Sequence, residues 1–298
     1  MNQSPVELAD LALERARGHK VQLETGITHY WTYSADKPSR QTIVMVHGYR
    51  GNHHGLEALA GALTDFNVVI PDLPGFGQSE ELHGPYTVDA YAHWLGLFVA
   101  SLKTEGIVVL GHSFGSIVTA AAAANQLDND LILVNPVSRF ENQPEQWFLN
   151  LLVNAYYGLG NHLPKPMANG LLRNPMFVRI MSEVLAKTPE PALRKWIHKQ
   201  HEQNFSDFAD RRVAVEGYHA SISKSVVSYS SGLKNKVLLI AGEQDDITSL
   251  PDQLRAATLF TNAQLKVIAS VGHLIHYEAP EQAAILIRAF LNESSQHA

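Results

Sequence analysis

The sequence contains no cysteine in 298 residues. Disulfides, thiolate metal sites and a cysteine nucleophile are therefore excluded, and cysteine usage says nothing about compartment. No run of 18 apolar residues occurs, so no membrane span is predicted. No Lys/Arg run stands out either, and the net charge is −6 with a pI near 6.2. That balance argues against a nucleic-acid partner, which needs a concentrated basic patch. No Gly-x-Gly-x-x-Gly opens a helix after an early strand, which removes a dinucleotide-dependent oxidoreductase. Residues 1–17 lack the continuous apolar stretch of a signal peptide and predict an amphipathic helix, so the expected location is cytoplasmic. The length suits one large domain or two ordinary ones, with a core that needs no staples.

What is present is a series of short β-branched runs bounded by Gly, Pro or Asp, at 26–33, 42–46, 68–71, 107–110, 131–134, 237–241 and 265–269. The central runs are apolar throughout, the pattern of strands covered on both faces. Helix-like stretches at 56–63, 88–102, 116–127 and 280–292 lie between them. The alternation predicts an α/β fold with a mostly parallel central sheet flanked by helices. It is interrupted once. From 137 to 230 only helical patterns occur, so a helical cap is expected after the sixth strand, with 1–136 and 231–298 forming the core domain.

The sharpest motif is IVVLGHSFG, residues 107–115, an apolar strand running into Gly-x-Ser-x-Gly and then a small-residue helix. A nucleophile on a tight strand-to-helix turn sits in a strained conformation, and its flanking positions pass too close to backbone for a Cβ. Ser113 is the candidate nucleophile, and the Phe114 N–H at the helix start is a candidate oxyanion donor. His112, inside the motif, reads as a packing or hydrogen-bonding residue. A serine needs a base in contact and a third group to orient that base. Two later segments offer them. VLLIAGEQDD, 237–246, ends a buried strand on Asp245 and Asp246, and LKVIASVGHLIH, 265–276, ends another on His273 with His276 behind it.

Two further strand ends complete the pattern: TIVMVHGYRG at 42–51, and VVIPDLPGFGQS at 68–79. Together these four motif groups resemble the α/β-hydrolase superfamily, in its capped esterase/lipase and C–C hydrolase branch. The likeness runs from about residue 26 to 292, with 137–230 matched only as a cap. The resemblance implies the order Ser, acid, His. It selects Asp245 over Asp246 and His273 over His276, the base lying 28 residues after the acid. It also implies the Tyr49 N–H as the second oxyanion donor and His47 as a loop-stabilising residue. Asp72 should fix its own turn. Arg50, His53 and His54 match no motif and are expected on a solvated loop. Ser113 excludes the members of this fold that attack with a carboxylate.

The expected function is therefore a serine hydrolase, carboxylesterase- or lipase-like, acting through an acyl-enzyme on esters of small or medium apolar substrates. No metal and no organic cofactor is required. Trp147, Tyr156 and Met181 are the candidate substrate-binding residues, from a set that also holds Phe148, Tyr157, Met167 and Met176. A C–C bond hydrolase acting on vinylogous ketones shares the same triad, and a ligand-binding receptor on the same scaffold is the reading from another class. The partner in the leading reading is a small-molecule ester.

Overall fold

Every residue of β3 (Thr42–Val46), β5 (Ile107–His112), β6 (Leu131–Val134) and β7 (Val237–Gly242) is buried, as strands without a polar alternation must be. Successive side chains go to opposite faces. Val44, Val109, Leu133 and Leu239 join one core with Tyr91, Trp94 and Ile117; Ile43, Val108, Ile132 and Ile240 join the other with Leu8, Leu59 and Phe290. The two cores are what the flanking helices supply. α1 (Pro5–Arg15), α2 (Glu57–Ala62) and α13 (Pro280–Ser295) cover one face, while α3 (Val88–Ser101) and α4 (Phe114–Asn125) cover the other.

The computed structural model describes the backbone of residues 3–140 and 147–295, with side chains for 3–140 and 153–293. With β1 (Ala16–Leu23), β2 (Gly26–Tyr33), β4 (Asn67–Pro71) and β8 (Ala263–Ile268), the sheet has eight strands in the order β1-β2-β4-β3-β5-β6-β7-β8. β1 pairs antiparallel with β2, and β2 antiparallel with β4; all remaining pairs are parallel. The carboxyl ends of β3 through β8 therefore share one rim, the place where open α/β sheets bind ligands.

β1 was not anticipated from the sequence. It reads ARGHKVQL, and Arg17, Gly18, His19 and Lys20 are all exposed. Its first half is an edge with solvent around it, and at its end only Val21 and Leu23 reach the core, too short an alternation to mark a strand.

Between β6 and β7 the described chain is helical: α5 (Trp147–His162), α6 (Lys165–Leu172), α7 (Pro175–Leu185), α8 (Pro191–Asn204), α9 (Arg211–Ser223) and α10 (Val227–Ser230). An isolated bridge between Phe76 and Phe208 pins this segment to the turn after β4. α11 (Leu250–Ala257) and α12 (Ile275–Glu278) follow on the core side. Among the described residues no helix is long and apolar enough to cross a membrane.

Candidate active site

Ser113 directly follows β5 and serves as N-cap of α4, with φ 54° and ψ −119°. This is a region that a non-glycine residue occupies only when its surroundings force it. The forcing is visible at the two motif glycines. A Cβ on Gly111 would sit 2.3 Å from the Gly115 carbonyl oxygen, and one on Gly115 would sit 2.2 Å from that of Val46. Helix α4 thus lies against the ends of β3 and β5 at a distance only glycine permits, and the turn has no room to relax.

Three strand ends bring the polar groups together. His273 Nε2 lies 2.8 Å from Ser113 Oγ, and His273 Nδ1 lies 2.8 Å and 3.0 Å from the two Asp245 oxygens. An ionised carboxylate only accepts, so Nδ1 carries the proton and Nε2 presents its lone pair to the serine hydroxyl. Asp245 also accepts from the backbone N–H groups of Ile247 and Thr248. Burial alone would raise its pKa. Attraction to His273, the bond to that ring and the two backbone N–H groups outweigh burial and hold the carboxyl below its ordinary value.

The competitors are accounted for differently. Asp246 pairs with Lys187 at the cavity edge. His276 is buried beside the His112 ring, 4.0 Å between centroids, and its Nδ1 has no hydrogen-bond partner among the described residues. His112 Nε2 donates to the His273 carbonyl at 3.2 Å, which fixes the backbone of the loop bearing the imidazole.

Asn135 was missed by sequence reasoning. It follows β6 with φ 44°, fully buried, and its side-chain amide donates 3.0 Å bonds to Asp245 Oδ2 and the Gly272 carbonyl. Its Oδ1 accepts from Ile275 N–H at 3.3 Å. One side chain thus ties the acid to the histidine loop. The available signal was an Asn-Pro directly after a buried strand, a residue type that tolerates positive φ.

The loop after β3 lies against Ser113, the Cβ position of Gly48 being 3.1 Å from Ser113 Cβ. His47 Nε2 accepts from Leu73 N–H at 2.9 Å and Nδ1 bonds the Gly48 carbonyl, a structural role. Asp72 accepts from the N–H groups of His53 and Gln78 and from His53 Nδ1, holding its turn. The solvated-loop expectation fails for Arg50 and His53, which are 1% and 3% exposed. The reason is that the helical segment covers them on one side and Trp31 stacks on His53, 3.3 Å between centroids, on the other.

Ser113, His273, Gly48, Tyr49 and Phe114 open onto a cavity of about 300 Å³, roofed by the apolar face of α7 (Phe177, Ile180, Met181, Val184). Of the expected substrate contacts, Met181 lines it. Tyr156 does not: it stacks on Phe177, 3.8 Å between centroids, and donates to the Leu171 carbonyl, while its neighbour Tyr157 faces the cavity. One residue along a helix turns a side chain by about 100°, and the apolar pattern of α5 could not separate the pair. Met167 and Met176 are exposed on the outside. Trp147 and Phe148 have side chains outside the described residues.

One group among the described residues could hold a cation, His53, His54 and Glu57, with ligand atoms within 4.8 Å of one another. His53 is engaged by Asp72 and His54 by Glu57, so both pairs are explained as loop fixings.

The imidazoles behind His273 have a measurable consequence. Burial and neighbouring histidines push His112 down to about 3, burial and His198 push His201 down to about 4, and burial, His112 and His201 push His276 down as well. Each stays neutral in the fold but takes a proton on unfolding once pH drops below the ordinary value near 6.5. The unfolded state then binds more protons, so stability should fall as pH falls from about 6.5 toward 4, by up to about 4 kcal/mol per pH unit for three such groups. Urea midpoints that stay flat between these limits would contradict the burial of the cluster.

One curated relative, from Mycoplasma pneumoniae, is 31% identical over 107 residues, a match covering 35% of this chain and 39% of that protein; the chain thus spans about two fifths of that relative's length. Lipase 1 of Psychrobacter immobilis is 22% identical over 97% of this chain and 85% of its own. A solved thermophilic esterase from Thermogutta terrifontis superposes with a TM-score of 0.71 at 22% identity, covering 93% of this chain and 99% of that one. The family model described as the alpha/beta hydrolase fold matches residues 41–280, and the chain belongs to that family.

Proposed function

We propose that the protein is a serine hydrolase that cleaves carboxylic esters of small or medium apolar substrates. The observation that carries this reading is the unbroken hydrogen-bonded relay from Asp245 through His273 to Ser113, with 2.8 Å at each step, facing an apolar cavity. The names of the Psychrobacter lipase and the Thermogutta esterase are in keeping with it.

His273 Nε2 takes the Ser113 proton as Oγ attacks the ester carbonyl carbon. The oxyanion accepts from the N–H groups of Phe114 and Tyr49, one such donor contributing about 3–4 kcal/mol to transition-state stabilisation. The C–O bond breaks and the alcohol departs with the proton from His273. Water, deprotonated by the same imidazole, then attacks the acyl-serine and frees the acid. Residues 137–230 act as a cap, and a cavity at the small end of the range for ligand pockets limits the acyl and alcohol parts.

The test is labelling with a fluorophosphonate, site mapping by mass spectrometry, and a p-nitrophenyl ester series graded by acyl length. We expect one label, on Ser113, and turnover that falls for long chains. Turnover of a vinylogous diketone without ester turnover would replace this reading by C–C hydrolysis.

A further inference from the structure

Arg50 is the least expected residue of the cavity wall. It follows Tyr49 in the loop after β3, with φ 63°, in the left-handed region that a β-carbon disfavours. Its side chain is buried, and among the described residues no carboxylate pairs with it. Nε donates instead to the Phe205 carbonyl at 3.0 Å, one terminal nitrogen to the Tyr157 hydroxyl at 3.2 Å, and the other to the Leu172 carbonyl at 2.7 Å.

These acceptors are not arbitrary. Leu172 ends α6 and Phe205 is the C-cap of α8. Both carbonyls belong to helix carboxyl ends, which lack intrahelical donors and carry the negative end of the helix dipole. Two dipoles and the rings of Phe205 and Phe208, each 5.3 Å from the guanidinium carbon, take the place of a counter-ion. The same loop grips the helical segment twice more. The Tyr49 hydroxyl donates to the Ala214 carbonyl on α9, and Asn52 Nδ2 donates to Asp207 at 3.4 Å.

We propose that Arg50 is a positioning residue: its guanidinium locks the loop bearing the Tyr49 N–H to the carboxyl ends of α6 and α8, so the oxyanion-binding geometry depends on how the helical segment is seated. The proposal rests on the reading of Ser113 as nucleophile. A planar fork reaching three acceptors on three elements suits this task, and an ammonium at the end of a flexible stem does not.

The test compares Arg50→Met, Arg50→Lys and Tyr157→Phe with the natural protein, each normalised to the fraction of sites labelled to completion by fluorophosphonate. The readouts are kcat and KM for a short p-nitrophenyl ester, the pH profile of kcat/KM, and the affinity for a trifluoromethyl ketone whose serine adduct places an alkoxide between the two N–H groups. Arg50→Met should lower kcat per labelled site by roughly 30- to 100-fold with KM changed by less than about threefold, and ketone affinity should fall by the same factor, as for a contact made only in the transition state. Arg50→Lys should recover less than about threefold of that loss. Tyr157→Phe, which removes one acceptor, should shift kcat and ketone affinity together by about threefold. The pH profile should keep its shape in all three.

An Arg50→Met protein with kcat and ketone affinity within about twofold of natural would overturn the proposal. So would a change confined to KM, or a reduced labelled fraction whose remaining sites turn over normally. Should Arg50→Met fail to fold, unchanged kcat and ketone affinity in Tyr157→Phe overturns it. Failure of the underlying nucleophile reading is separately visible, because the natural protein would then take no label on Ser113.

Discussion

Ser113→Ala should lower kcat/KM for a short p-nitrophenyl ester by roughly ten-thousand- to million-fold, with melting temperature nearly unchanged. The size follows from what is removed: the atom that forms the acyl bond in the proposed reaction. The rest of the turn stays, because alanine tolerates the φ 54° backbone no worse than serine and the Gly111 and Gly115 approaches are untouched. His273 loses one partner at Nε2 and keeps Asp245. The residual rate expected is what binding and the two proposed N–H donors supply alone. Circular dichroism together with initial rates on purified protein decides the matter: a folded variant with more than about 1% of natural activity removes Ser113 from the mechanism.

Asp245→Asn should cost about ten-thousand-fold in kcat while leaving the loop folded. Asp245 meets four donors. Ile247 and Thr248 N–H point at Oδ1, and Asn135 Nδ2 points at Oδ2, while His273 Nδ1 lies within reach of both oxygens. An asparagine has one acceptor oxygen. The two backbone N–H groups hold that oxygen on their side, so the new NH₂ faces Asn135 and His273. The imidazole then escapes a donor–donor clash by moving its proton to Nε2, where it points at the serine it should deprotonate. The same argument predicts that Asn135→Asp in the Asp245→Asn background restores a partner for the new amide without restoring the tautomer, so activity stays low. A steady-state kcat for Asp245→Asn within tenfold of natural would refute the assigned proton path.

The core was readable because its determinants are local. Continuous apolar runs at 42–46, 107–110, 131–134 and 237–241 mark strands covered on both faces, and all four fall in the central sheet. The serine turn was readable because its whole Gly-x-Ser-x-Gly pattern lies in one stretch of chain, although Gly115 answers the Val46 carbonyl of β3. What escaped is what depends on a distant element. Arg50 and His53 look like loop polars until α6, α8 and Trp31 are laid against them. Asn135 acquires its partners from chain segments 110 and 137 residues away. The choice between Tyr156 and Tyr157 turns on a helix orientation set by α7 and α9, since Tyr157 stacks on Tyr218 of α9. No periodicity within α5 encodes that.

The exposed first strand has a consequence of its own. An open eight-stranded sheet offers a row of unsatisfied amides and carbonyls at its border, a template on which another chain could add. Here that border carries Arg17 and Lys20 with solvent around both. Two molecules meeting there would set cation against cation, so charge opposes growth of the sheet into fibrils at this border.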